Sequence, residues 1–209
     1  MDYKNLILRI IFSILLIILY IIFQININLL LLFSLLIYLI IFYETIKFFT
    51  KYIYFIFSYL ILSFFCLYLY VTIFFELFIF NLFIFVIIAF DTFSYIFGKY
   101  FGNNFPFKKI SPNKSYEGYL GGIISTNLLY FLIFYNFFPN YIEINYNFTL
   151  VNFIIFFSLF GDLIQSYFKR ENKLKDSSNF LPGHGGFFDR FDSFISSIIF
   201  LTAYSYLYQ

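Results

Sequence analysis

The chain has 209 residues, 62% of them hydrophobic and only 11% charged, with a mean hydropathy of +0.87. A soluble domain carries about 25% charged residues, so this composition excludes an ordinary water-facing surface and makes lipid the solvent for most side chains. A net charge of +2 gives no global attraction to nucleic acid.

Taken in order, the apolar runs long enough for a membrane helix are 6–23, 27–43, 52–71, 73–90, 119–138, 148–168 and 191–208. The expected fold class is all-α: a polytopic transmembrane helical bundle of about seven spans. Lys4 precedes the first run and Arg9 falls near its start, but no small-residue cleavage site follows, so it reads as a retained helix and not a signal peptide. The single Cys66 lies inside an apolar run, which excludes an intrachain disulfide and points to a buried packing role. Between the spans fall Gln24–Asn28, Glu44–Lys51, a short turn near Thr72, Asp91–Gly118, Pro139–Asn147 and Lys169–Arg190.

With the N-terminus cytoplasmic and the sides alternating, all thirteen Lys and Arg fall on the inner side. That is the pattern of cytoplasmic loops. A second asymmetry divides the chain, because no Gly or Pro precedes Gly98. Residues 1–90 therefore read as a transmembrane scaffold, and 91–209 as the region carrying the chemistry, with cytosolic loops 91–118 and 169–190. The 38 Phe and 21 Tyr, beside an Ala count limited to Ala89 and Ala203, match AT-rich codon bias and do not mark a stacking surface.

The scarce charge clusters in Gly161–Ser193. Asp162 lies inside a span, where a carboxylate needs a cation or a wet cavity. Asp162, Ser166 and Lys169 share one helical face, and Asp189, Ser193 and Ser196 repeat the spacing. Two carboxylates presented this way suit Mg²⁺ held on nucleotide phosphates; the competing explanation is an ion pair joining helices. Lys169, Arg170, Lys173 and Lys175 lie next to the glycine-rich turn Pro182–Gly186, and lysines beside closely approachable backbone form a phosphate site.

These residues carry a resemblance. The run Ser166-x-x-Lys169-Arg170-x4-Lys175-Asp176-x5-Leu181-Pro182-Gly183-His184-Gly185-Gly186-x2-Asp189-Arg190-x-Asp192 resembles the signature of CDP-diacylglycerol synthases at every fixed position. Asp91-Thr92-Phe93-Ser94-Tyr95, Gly98-Lys99-Tyr100-Phe101-Gly102 and Ser111-Pro112-Asn113-Lys114-Ser115-Tyr116-Glu117-Gly118 resemble that family's DTGAY, GxxFG and SPxKTWEG segments. The departures are Phe93 and Ser94 for Gly-Ala, Ser115 and Tyr116 for Thr-Trp, Gln165 for a frequent Glu, and a shorter N-terminal region.

The resemblance implies transfer of the cytidylyl group of CTP to phosphatidate, giving CDP-diacylglycerol and pyrophosphate. It implies Mg²⁺ on Asp162 and Asp189 and allows a second, monovalent cation such as K⁺. By the same resemblance Asp162, Lys169, Arg170, Lys175, Asp176, His184, Asp189 and Arg190 are expected to be catalytic. Asp91, Ser111, Lys114, Glu117, Ser166, Gly183, Gly185, Gly186 and Asp192 are expected to bind substrate. Phosphatidate is largely dianionic at neutral pH, so it needs no general base and His184 reads as a loop organiser or a donor to phosphate rather than a base. A homodimer in the inner membrane, with its site facing the cytoplasm, is also implied. The alternatives are another CTP-dependent lipid enzyme (a polyprenol kinase or a CDP-archaeol synthase), an ion-coupled transporter and an inactive structural subunit. The unbroken early helices speak against the transporter, and the complete motif against the inactive subunit.

Overall fold

A computed structural model describes residues 20–22, 26–137, 144–181 and 185–208 of the chain. Among them it contains six α-helices and no strand: α1 (Ile27–Phe48), α2 (Ile53–Leu69), α3 (Leu77–Phe101), α4 (Tyr116–Phe137), α5 (Ile144–Glu171) and α6 (Phe188–Tyr208). The expected helical class holds. Most of the expected first span, 6–23, lies outside the described residues. The stretches Ile27–Phe48, Ile53–Phe74, Leu77–Phe101 and Asn147–Glu171 are long and apolar enough to cross a membrane, and the chain is a multi-pass membrane protein. Helices α4 and α6 are long enough but more polar, and both contribute to the polar cavity described below.

Local sequence sets several boundaries. Asn26 caps α1, its side chain accepting from the Asn28 N–H at 2.9 Å. Helix α2 runs directly into a π-helical turn, Tyr70–Phe74, so Thr72 lies within helix and the chain reverses at Phe75–Glu76 instead. Helix α3 continues through Asp91 to Phe101, so the connection to α4 is shorter than the 91–118 expected from sequence. Asp91, Thr92 and Ser94 interrupt the apolar pattern without breaking the helix. Ser115 caps α4 by accepting from the Gly118 N–H at 3.1 Å.

Helices α3 and α4 cross closely at Gly98 and Gly118; a Cβ on Gly118 would lie 2.7 Å from the Ser94 carbonyl. Gly161 brings α5 equally near α6, where an added Cβ would stand 2.5 Å from the Asp192 carbonyl. Phe153 and Phe157 of α5 stack on Phe200 of α6 at 4.9 and 4.7 Å. The outer faces stay apolar, with Phe55, Ile61, Ile88 and Leu132 exposed, as lipid-facing surfaces are. Cys66 is half-buried instead of fully packed.

Inside the bundle, polar side chains join helices directly. Asn127 of α4 and Asn152 of α5 exchange amide hydrogen bonds of 3.1 and 3.3 Å. The Tyr38 hydroxyl of α1 meets Ser63 Oγ of α2 at 2.5 Å, and Ser63 donates to the Ile195 carbonyl of α6 at 2.8 Å. With both hydroxyls buried, losing Ser63 Oγ leaves the Tyr38 hydroxyl without that partner, while the Ile195 carbonyl keeps its helical bond. Ser63→Ala should cost about 1–2 kcal/mol in unfolding measured in detergent, and Tyr38→Phe, which removes the dependent donor, should cost less.

Candidate active site

The helix ends carrying the basic residues converge at one end of the bundle. Asn172, just past α5, accepts the Thr50 and Lys51 N–H groups between α1 and α2 at 2.8 and 2.7 Å. Arg170 donates to the carbonyls of Ile110 and Leu174 at 3.1 and 2.9 Å, joining the α3–α4 connection to the segment leading into α6. Among the described residues, every Lys and Arg belongs to this end.

A cavity of about 430 Å³ opens between α3, α4, α5 and α6. Four carboxylates line it: Asp91 from α3, Asp162 from α5, and Asp189 and Asp192 from α6. Lys99 and Lys114 line it too. Lys114 directly precedes the α4 cap and forms an ion pair with Asp162. Burial pushes the Lys114 ammonium below its ordinary value, and the carboxylates of Asp91 and Asp192 oppose that shift. Asp192 is buried and accepts the Ser193 N–H at 2.8 Å.

Asp189 is the most heavily bonded of the four. Its Oδ1 accepts Lys169 Nζ at 2.6 Å and Gln165 Nε2 at 2.9 Å. Its Oδ2 accepts the Ser177 N–H at 2.7 Å, the Ser177 hydroxyl at 3.0 Å and the Gly186 N–H at 3.1 Å. Gly185 turns the chain at φ +83°, a conformation that glycine adopts without strain. An added Cβ there would also stand 2.9 Å from Asp189 Oδ2.

The structure brings together part of the set expected from sequence. Asp91, Lys114, Asp162, Asp189 and Asp192 share the cavity, Lys169 reaches it through Asp189, and Gly185 and Gly186 shape the Asp189 cradle. Ser166 is buried beside this region, and Ser111 holds a turn through its N–H, which donates to the Phe107 carbonyl at 2.8 Å. Neither lines the cavity. Arg170 ties loops together, while Lys175, Asp176 and Arg190 lie exposed outside the lining. Glu117 also points away from it, accepting Asn103 and Asn104 N–H groups at 3.1 and 3.2 Å. Bonds from its own N–H and from those amides hold its carboxyl below the usual range, a role in organising the loop. Pro182, Gly183 and His184 lie outside the described residues.

Sequence reasoning missed Glu44. This residue of α1 is fully buried and accepts the Ser178 hydroxyl at 2.7 Å and the Phe187 and Phe188 N–H groups at 2.8 and 3.0 Å. The available signal was its rarity: Glu44 and Glu76 are the only acidic residues between positions 20 and 90.

Among the described residues no three His, Cys, Asp or Glu side chains gather closely enough to form a metal site by themselves. Mg²⁺ that arrives on phosphates takes one or two protein carboxylates and keeps several waters. Asp162 and Asp189 both line the cavity, where each carboxylate is paired with an ammonium group, Lys114 and Lys169 respectively.

Residues 3–208 match the family model described as the cytidylyltransferase family. The chain is 41% identical over 109 residues to the phosphatidate cytidylyltransferase of Staphylococcus haemolyticus, covering 50% of this chain and 40% of that protein. It is 40% identical over 138 residues to the phosphatidate cytidylyltransferase of Haemophilus influenzae, covering 63% of this chain and 46% of that one. The matched stretch thus spans less than half the length of these relatives. With the family match running almost end to end, over the same helices that build the carboxylate cavity, the chain belongs to the cytidylyltransferase family.

Proposed function

We propose that the chain transfers the cytidylyl group of CTP to phosphatidate, releasing pyrophosphate and forming CDP-diacylglycerol for phospholipid synthesis. The observation that carries this reading is the cavity where Asp162 and Asp189 meet Lys114 and Lys169 at the end of a lipid-embedded bundle. A lipid phosphate and a water-soluble nucleotide can meet only at such a boundary. Four carboxylates lining the cavity would repel a bare triphosphate. A divalent cation carried with the nucleotide converts that repulsion into attachment, and Mg²⁺ on Asp162 and Asp189 suits this charge balance. When bound, it would supply charge neutralisation at the phosphates.

The chain's own residues position and compensate. An oxygen of the phosphatidate phosphate attacks the α-phosphorus of CTP, a new P–O bond forms, and the bond to the β-phosphate oxygen breaks. The nucleophile is already deprotonated at neutral pH, so no side chain needs to act as a base. Lys114 and Lys169 supply positive charge for the triphosphate and the departing pyrophosphate. Apolar helix walls keep the diacyl chains in lipid while the headgroup enters the cavity. Placement in the inner membrane with this end toward the cytoplasm, and assembly as a homodimer, belong to the same reading. The collection of basic residues at the cavity end supports the orientation.

Three outcomes follow. Incubation of the purified chain with CTP, phosphatidate and Mg²⁺ should yield CDP-diacylglycerol; EDTA should abolish turnover and added Mg²⁺ restore it, and full activity in metal-free buffer would refute the carboxylate–metal arrangement. Asp162→Asn and Asp189→Asn should each lower specific activity by about 10²–10³-fold at unchanged monodispersity in detergent. Glu76→Gln, at the opposite end of the bundle, should leave activity unchanged. In a Cys66→Ser background, a cysteine at Glu76 should react with an impermeant thiol reagent in intact cells, while cysteines at Asn113 and Asn179 should react only after permeabilisation. The reverse pattern would put the cavity on the wrong side of the membrane for CTP.

A further inference from the structure

Glu44 combines three features that the proposed chemistry leaves unexplained. It is fully buried at the end of an apolar helix, it has no Lys or Arg ion-pair partner among the described residues, and its hydrogen-bond donors lie in the segment that builds the Asp189 cradle. An isolated buried carboxylate is costly, and hydrogen-bond donors must offset that cost. Here they do so: Oε1 takes the Ser178 hydroxyl at 2.7 Å and the Phe187 N–H at 2.8 Å. Oε2 takes the Phe188 N–H at 3.0 Å and lies 3.3 Å from the Ser177 hydroxyl. The Phe187 and Phe188 amides open α6, where N–H groups lack helical acceptors and favour an anion.

The same short segment is gripped from its other side by Asp189. Gly186 N–H donates to Asp189 Oδ2, and the next two amides in the chain donate to Glu44. The Ser177 hydroxyl stands between both carboxylates, 3.0 Å from Asp189 Oδ2 and 3.3 Å from Glu44 Oε2. There is no room for a side chain at Gly186, where a Cβ would meet Ser177 Oγ and stand 2.8 Å from Glu44 Oε2. Two carboxylates from helices far apart in sequence thus share one cradle. The register of Asp189 in the cavity depends on the donors that Glu44 holds.

We propose that Glu44 is a positioning residue: it clamps the Ser177–Ser178 and Phe187–Phe188 segments around Asp189 and so sets the Asp189 carboxylate for nucleotide phosphate transfer. The proposal rests on the functional reading above, and it gives helix α1, otherwise a lipid-facing scaffold, a direct part in the geometry of the site.

The test compares the full-length wild type with Glu44→Gln, Ser178→Ala and the surface control Glu171→Gln, each purified in detergent. Hydrogen–deuterium exchange is followed in peptides covering 174–181 and 185–192, and steady-state kinetics are measured with CTP and phosphatidate. Glu44→Gln keeps the shape but sets an NH₂ group against one of the two backbone N–H donors, Phe187 or Phe188. Exchange in both peptides should rise while that of α2 and α3 stays unchanged, and kcat should fall by about 10–100-fold, the scale of a misplaced group. KM for CTP should stay within about threefold, because a positioning loss appears in turnover and not in ground-state binding. Ser178→Ala should move the same quantities in the same direction by less, and it carries the test if Glu44→Gln does not fold. Glu171→Gln should match wild type. Unchanged exchange in the two peptides overturns the clamp, and raised exchange with an unchanged kcat overturns the positioning role. If the wild type makes no CDP-diacylglycerol, the functional reading fails, and the exchange comparison alone still decides whether Glu44 holds the segment.

Discussion

Asp189 must stay ionised and oriented at the edge of an apolar bundle, and much of this end of the structure serves that requirement. Lys169 and Gln165 of α5 hold one oxygen; the Ser177 amide, the Ser177 hydroxyl and the Gly186 amide hold the other. A carboxylate in so weak a dielectric is tolerable only with its lone pairs engaged. Each of those donors needs support in turn: Lys169 from the last turns of α5, Gly186 from the turn at Gly185, and Ser177 from its neighbour Ser178, whose hydroxyl donates to Glu44 of α1. The electrostatic demand of one side chain thus recruits helices from both halves of the chain.

The same constraint explains how polar and apolar residues are distributed. Lipid gives no reward for hiding one apolar face rather than another, so helix association relies on close packing and on hydrogen bonds between helices. Gly118 against Ser94 and Gly161 against Asp192 supply the first. Ser63 between Tyr38 and Ile195, and the Asn127–Asn152 pair, supply the second. Both close glycine contacts adjoin cavity residues, so the packing that brings the helices together also brings Asp91, Asp162, Asp189 and Asp192 around one space. The aromatic abundance has no comparable role at the site. It fills helix interfaces, as at Phe153, Phe157 and Phe200, and coats the lipid-facing surface.

Under the proposed function, the excess of carboxylates over lysines in the cavity would be balanced by a cation travelling with the nucleotide. Lys114 and Lys169 are themselves paired to Asp162 and Asp189, which holds the ammonium groups where phosphates would need them. In the proposed reaction such preorganisation would let the site meet developing charge without rearranging.

The sequence by itself determined the helical, lipid-embedded class, because so few charges cannot cover a water-facing surface, and it singled out Asp162 and Asp189, because charge in an apolar chain is rare enough to be informative. Scarcity and helical spacing pointed to Asp162 and Asp189, while Asp91, Lys114 and Asp192 were legible through the family resemblance of their motifs. Helix ends were less legible: α3 extends past Asp91 to Phe101, since isolated polar residues do not stop a helix whose backbone bonds are satisfied internally. The tertiary structure alone decided which charged residues of the motif face the cavity and which, like Arg170 and Glu117, hold loops in place. It alone revealed Glu44, whose partners lie more than a hundred residues away. A carboxylate's role depends on which donors surround it, and those donors come from segments that only the packing of α1 against the start of α6 brings within hydrogen-bonding distance.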